Sequence, residues 1–211
     1  MLAARCHLMI VFLLGATSIL AADGGPAWYE VRSGDHLSRI AGRFGTTVNS
    51  LRNDNSLTKD IIRPGQRLEL STPLTRTKAK DIDWLNPCRS KGRILEKFGP
   101  YERDKILMPR TGVLMAQDVG APVLVPANGV LRFLSVMDGM GTLAIIAHGG
   151  GYHSVLGPLD PDTVPWQQGQ CMLRGDILGA VAALPESEYP PHLHIELRQN
   201  SKAIPPDRLL K

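Results

Sequence analysis

The chain has 211 residues, 43% hydrophobic and 21% charged, with a formal net charge of +4. That composition excludes an extended disordered protein and fits one or two globular domains. No stripe of Lys and Arg with interleaved aromatics is present, so nothing points to a nucleic-acid partner, and the mild basic excess suits an anionic cell envelope.

Residues 1–22 stand apart. Arg5 is their only charged residue, Leu8 to Leu20 is almost wholly apolar, and the small residues Ala21 and Ala22 precede Asp23. A basic start, a short apolar core and a small-residue end predict a signal peptide over 1–22, cleaved before Asp23. The apolar run is shorter than the roughly 20 residues of a membrane span, so no stable membrane anchor is expected. Cleavage lowers the net charge by one and leaves Cys88 and Cys171. These either pair, closing a long loop, or remain two free thiols; spacing alone does not choose between them.

Residues 26–72 have their own rhythm. Tyr29-Glu30-Val31 reads as a short strand, and Ser33-Gly34-Asp35 as a turn that also starts a helix. Leu37, Ile40, Ala41 and Phe44 mark one helical face, which Gly45 ends. A second helix begins near Thr47 and stops around Asn53 to Asn55. Ile61-Ile62-Arg63-Pro64-Gly65 is a turn, and Arg67 to Leu70 a closing strand. This is a βααβ unit of under fifty residues by position. Ser71 to Lys80 is polar and basic, and residues 73–80 are expected to be a solvated linker.

From residue 81 to 211 the punctuation is β-like. Val123-Leu124-Val125, Val130 to Leu134, Leu143 to Ala147, Tyr152 to Leu156 and Ile177 to Gly179 are short strands. Asn128-Gly129 and Gly149-Gly150-Gly151 are turn signals between them. The predicted class is α+β, a small βααβ module followed by a mainly antiparallel β domain with an open groove. Near the end, His192-Leu193-His194-Ile195-Glu196-Leu197 alternates as a strand. Both imidazoles then share one face, opposite the three aliphatics. Two histidines so placed are half of a catalytic zinc site, which normally takes three protein ligands.

Tyr29-x-Val31-x-x-Gly34-Asp35-x-Leu37-x-x-Ile40-Ala41, then Asn55, then Ile62-x-Pro64-Gly65-x-x-Leu68, resembles a LysM domain. That resemblance implies binding of the N-acetylglucosamine units of peptidoglycan or chitin. It implies a sugar groove between Gly34, Asp35 and His36 on one side and Ile61, Ile62, Arg63 and Pro64 on the other. From about Trp84 onward the turn order resembles the LytM, lysostaphin-like metallopeptidases, which cleave peptidoglycan cross-bridges with one zinc. The pair His192 and His194, with Glu196, continues that family's H-x-H strand. Gly112 and Gly120-Ala121-Pro122-Val123 set the register of its first ligand segment. On that register Arg110 and Leu114 stand where the family has its His and Asp ligands. His148 to Ser154 fixes another segment, which puts Leu156 at the family's Tyr and Pro158 at its catalytic His.

A guanidinium has no lone pair to give, and Leu and Pro bring no donor. No metal and no cofactor are therefore expected, and His192 and His194 are vestigial. Asp118, His148 and His153 lie nearby in sequence, but Asp118 sits beyond the position that the glycine register sets for a ligand, and both histidines fall where the family is variable. Degenerate LytM domains of this kind resemble the EnvC/NlpD-type activators of cell-wall amidases. The resemblance implies a periplasmic or envelope protein, a peptidoglycan-binding module and an amidase partner. The partner would be held in a groove of Arg110, Leu114, Tyr152, Pro158, His192 and His194. Two rival expectations are a passive peptidoglycan-binding scaffold and an active zinc endopeptidase with unconventional ligands.

Overall fold

The computed structural model describes residues 26–211 apart from 72, 75 and 104, so the expected signal peptide lies outside the described residues. None of the helices among the described residues is long and apolar enough to cross a membrane.

The first body is built from β1 (Ala27–Glu30), α1 (Leu37–Arg43), α2 (Val48–Asp54) and β2 (Arg67–Leu70). Strands β1 and β2 pair antiparallel with Ala27 opposite Leu70 and Tyr29 opposite Leu68, so all four face one side. Leu37, Ile40, Phe44 and Leu51 come from the helical stretch and complete a core with them. The Tyr29 and Phe44 rings meet at a centroid distance of 5.1 Å. The start of α1 differs from expectation, because His36 caps it, its Nδ1 accepting from the Arg39 N–H at 3.3 Å. Thr47 caps α2 through Ser50 N–H at 3.0 Å. Gly45, with φ +56°, ends the first helical stretch.

The second body is an antiparallel sheet in the order β11-β8-β9-β10-β13-β6-β3, with β14 also on β13. Its strands are β3 (Ile94–Glu96), β6 (Val113–Ala116), β8 (Gly129–Met137), β9 (Gly141–Gly149), β10 (Tyr152–Leu159), β11 (Cys171–Met172), β13 (His192–Gln199) and β14 (Lys202–Ile204). Beside it stand the hairpin β4 (Gly99–Arg103) and β5 (Ile106–Arg110), and the ribbon β7 (Pro122–Leu124) and β12 (Ile177–Ala180). Among the described residues α-helix is confined to one small module, with only short 3₁₀ turns elsewhere, and antiparallel strand dominates the rest, so the fold is α+β as expected. Asn128-Gly129 reverses the chain without making a hairpin, since β7 pairs with β12 and β8 with β9 and β11.

The two faces of this sheet differ. One carries Val113, Met115, Ile146, Leu156, Leu193, Ile195 and Leu197, packed under Val123 and Leu178 of the ribbon, the adjoining Val125, and Cys88. The other carries the histidines of β13. It also carries Ala147, which lies opposite His153 on β10, itself opposite Arg198 on β13. Ala147, Val130 and Cys171 belong to the buried cluster of the first body, together with Leu70 and Phe44. The two bodies therefore share a core, and the first one sits on the same sheet face as the histidines. Cys171 lies in that shared core and Cys88 in the main one, and both are free buried thiols.

The segment between the bodies is a packed strap, in contrast to the solvated linker expected. Leu74 is buried, its N–H donates to Phe44 O at 2.6 Å, and Arg76 N–H donates to Gly45 O at 3.0 Å. A Cβ on Gly45 would lie 2.3 Å from Thr77 Oγ1, and one on Gly149 would lie 2.7 Å from Thr77 Cβ. Among the described residues of 73–80, Arg76, Lys78 and Lys80 keep their exposed positions. The glycines that punctuate the sequence here permit close approach as well as turning.

Candidate functional site

Pairing of β13 with β6 sets His194 opposite Leu114 and His192 opposite Ala116, and pairing with β10 sets Gly157 opposite His194. Both imidazoles face away from the main core, as the alternation predicts, and are almost fully buried at 7% and 8% exposure. His194 Nε2 lies 3.3 Å from Glu196 Oε2, which also accepts from Thr111 Oγ1 at 2.7 Å. Arg198 donates to the other Glu196 oxygen, and its second Nη to Ser201 O at 2.6 Å. Burial alone would raise the Glu196 pKa. Hydrogen bonds from His194 and Thr111 and the charge of Arg198 outweigh it and hold the carboxyl below its ordinary range.

His192 Nδ1 lies 2.8 Å from Pro190 O, a contact that places the proton on Nδ1. Its ring meets Tyr189 edge-on, with centroids 6.0 Å apart. Pro158 and His192 line one cavity of about 200 Å³ with Leu184, Pro185, Tyr189 and Pro191. The cavity wall is apolar and proline-rich, with the imidazole at its edge.

Arg110 is linked to this cavity through Glu96 and Tyr189, and its charge is neutralised locally. Its Nη1 donates to Glu96 Oε2 at 2.6 Å, and its guanidinium lies 4.1 Å from the centre of the Tyr101 ring. Tyr189 donates to the second Glu96 oxygen at 2.8 Å. Burial, then that bond, raises the Tyr189 phenol above its usual range. One chain of contacts thus runs Tyr101, Arg110, Glu96, Tyr189, His192. The sequence marked only Arg110 and His192 of these. Glu96, Tyr101, Tyr189 and Thr111 carry no such mark, because their roles depend on strands and a loop that no local pattern sets beside the histidine strand. Arg198 does carry a local signal, two residues beyond Glu196 on the same face of that strand.

One expectation needs correction. Tyr152 is not in the groove: it is buried in the main core on the far side of the sheet, against Trp84 at 5.6 Å. Its strand parity, two residues from Ser154 and four from Leu156, puts it there. Arg110 stays at the groove with its charge answered by Glu96.

The donor set does not fit a catalytic zinc. Leu114 lies across from His194, Arg110 is tied to Glu96, and Pro158 contributes only ring carbon. Among the described residues no group of three His, Cys, Asp or Glu side chains converges to hold a metal. His148 turns to the other face, bonded to Ser154 Oγ at 2.9 Å and edge-on to Trp84, while Asp118 is exposed.

In the first body, Gly65 N–H donates to Val31 O at 2.8 Å and Val31 N–H to Gln66 O at 2.9 Å, which sets the 32–36 turn beside the 61–65 turn. Gly34, His36, Ile61, Arg63 and Pro64 are exposed and Ile62 is half-buried. Asp35 is different, with a side chain only 3% exposed. Its carboxylate accepts from Tyr29 Oη at 2.7 Å, Arg32 N–H at 2.9 Å and Arg43 Nη1 at 2.7 Å. Burial would raise its pKa, and those three partners hold it below the ordinary range. Asp35 fixes the turn from inside, so its carboxylate is not free to meet a sugar.

Residues 29–71 match the family model described as LysM domain, and residues 108–206 the one described as Peptidase family M23. An uncharacterized metalloprotease of Haemophilus influenzae is 27% identical over 124 residues, 57% of this chain and 26% of that protein. The N-acetylmuramoyl-L-alanine amidase sle1 of Staphylococcus aureus is 39% identical over 57 residues, 27% of this chain and 17% of that protein. This chain spans about a quarter or less of both. A zinc containing peptidase from Vibrio cholerae shares the fold at a TM-score of 0.55 and 17% identity, over 89% of this chain and 72% of that one.

Proposed function

We propose that this chain, which joins a LysM domain to a Peptidase family M23 domain, is a non-catalytic protein of the cell envelope. It binds peptidoglycan through the LysM turns and activates a cell-wall N-acetylmuramoyl-L-alanine amidase through the groove of the second domain. The observation that carries this reading is the chemistry of the groove. Around two histidines stand Arg110, Leu114 and Pro158, which supply no ligand, and His194 is already engaged by Glu196. An M23 scaffold kept without a metal set retains a shaped surface. Here that surface is an apolar, proline-lined cavity edged by His192, next to the Tyr101–Arg110–Glu96–Tyr189 contacts. Such a wall suits an apolar partner helix or loop with a few polar anchors. By binding the active form of the amidase more tightly than the inactive one, the groove would shift that enzyme's equilibrium.

Peptidoglycan binding is supported by the LysM match over residues 29–71, and an extracytoplasmic location by the same match and by the amidase relative. The test is dye release from labelled peptidoglycan by the mature protein alone, by each amidase of the host alone, and by each mixture. Silence alone with stimulation of one amidase is the expected result. Release by the protein alone, abolished by a chelator, would overturn the reading in favour of a zinc endopeptidase.

A further inference from the structure

Arg32 is the hinge-pin between the bodies. Its two terminal nitrogens form a fork onto the two carboxylate oxygens of Asp176, each at 2.7 Å, across 144 residues of sequence. At one end of this fork Asp176 is rigid. Its Oδ2 accepts from Leu173 N–H at 2.8 Å, its N–H donates to Leu173 O at 3.0 Å, and its carbonyl accepts from Val125 N–H at 2.9 Å. At the other end, Arg32 N–H donates to Asp35 Oδ2 at 2.9 Å and Asp35 N–H to Arg32 O at 3.1 Å, closing the turn that exposes Gly34 and His36. Close by, Trp28 N–H donates to Gly169 O at 3.0 Å, so the strand leading into the turn is tied to the second body as well.

We infer that Asp176, in the M23 domain, is a positioning residue for the glycan-binding turn of the LysM domain, acting through Arg32. This rests on the glycan-binding part of the proposed function. Asp176 does not touch the sugar; its fork fixes the first residue of the turn, and the internal Asp35 bonds pass that constraint to Gly34 and His36. Sugar affinity then depends on docking of the two domains. By linkage, an occupied LysM turn strengthens the docking to the same degree.

The test is titration of the full chain with chitotetraose, an uncharged N-acetylglucosamine oligomer. Arg32→Met and Asp176→Asn are each expected to weaken binding roughly fivefold, at the low end of such couplings. Their combination should weaken it no further than either alone. Arg32→Lys, which keeps a charge but not the fork, should fall between. Because the probe is neutral, salt sensitivity must arise in the protein. Wild-type affinity should drop toward that of the variants near 1 M salt, while the variants stay flat. Wild-type-like binding by Asp176→Asn overturns the inference, including when Arg32→Met alone loses binding, because Arg32 would then contact the sugar itself. Absence of any binding by the wild-type chain, to the oligomer and to insoluble peptidoglycan, overturns the glycan-binding reading and the inference with it.

Discussion

Replacing Arg110 by Ala removes two interactions whose geometry is fixed. One is the 2.6 Å bond to Glu96, between side chains only 15% and 27% exposed, and the other is the guanidinium 4.1 Å over Tyr101. A half-buried pair of this kind contributes about 1 kcal/mol. A guanidinium over an aromatic ring adds about 0.5–1 kcal/mol. Loss of both therefore costs about 2 kcal/mol, with Glu96 left to Tyr189 alone. For a chain of this size that is a fall in Tm of roughly 4–8 °C. Arg110→Lys, which keeps the charge but not the planar stack, should lose about half as much. The measurement is thermal unfolding of both variants and of Glu96→Gln, with the Arg110→Ala/Glu96→Gln double to extract the coupling. A coupling near zero, or a Tm within a degree of wild type, would refute the account of the contact chain. The same Arg110→Ala protein should also fail to stimulate the amidase. Full stimulation by a folded Arg110→Ala variant would move the partner surface away from this side of the groove.

Glu196→Gln strips the counter-charge from Arg198, which is 6% exposed, and should cost about 3–5 kcal/mol by denaturant titration, against about 1 kcal/mol for Thr111→Val. Asp35 has a folded pKa below its unfolded one, so its contribution is complete above the unfolded value of roughly 3.9 and disappears as pH falls through the folded value. Acid titration of the wild type should show that loss below about pH 4, and Asp35→Asn should be less stable at neutral pH with a flatter acid limb. Gly45→Ala meets both a φ of +56° and Thr77 Oγ1 at 2.3 Å, and should cost about 1–3 kcal/mol in the same denaturant assay. Burial pushes the Cys88 thiol up to about 12 and the Cys171 thiol in the same direction, so a thiol reagent should modify neither until the chain is unfolded.

Local pattern carried far in this chain. Period-2 alternation from His192 to Leu197 was enough to place both imidazoles on one face and the aliphatics on the other. Helical spacing of Leu37, Ile40 and Ala41, with glycine after Phe44, located α1 within the module. Leu114, which the resemblance puts at the family's aspartate position, lies across from His194 in the β13–β6 pairing. Tyr152 shows where this stops. It was grouped with the groove because it lies near the right segment in sequence, yet strand parity sends its ring to the opposite face.

Which side chains share a strand face or a helix stripe is legible within a few residues of chain, because those periods are properties of the backbone. Residue identity, too, is legible without a fold: Arg110, Leu114 and Pro158 carry no metal-ligating donor wherever the chain places them. Tertiary structure alone decided what meets across long separations: Glu96 with Arg110 and Tyr189, Arg32 with Asp176, and Cys171 with the core of the first domain. It also turned a basic, linker-like segment into a strap, because Gly45 and Gly149 let its backbone come closer than any side chain would permit. Such contacts bring together residues that fold into place independently. No local spacing encodes them, and they exist only once the sheet has put both partners on one surface.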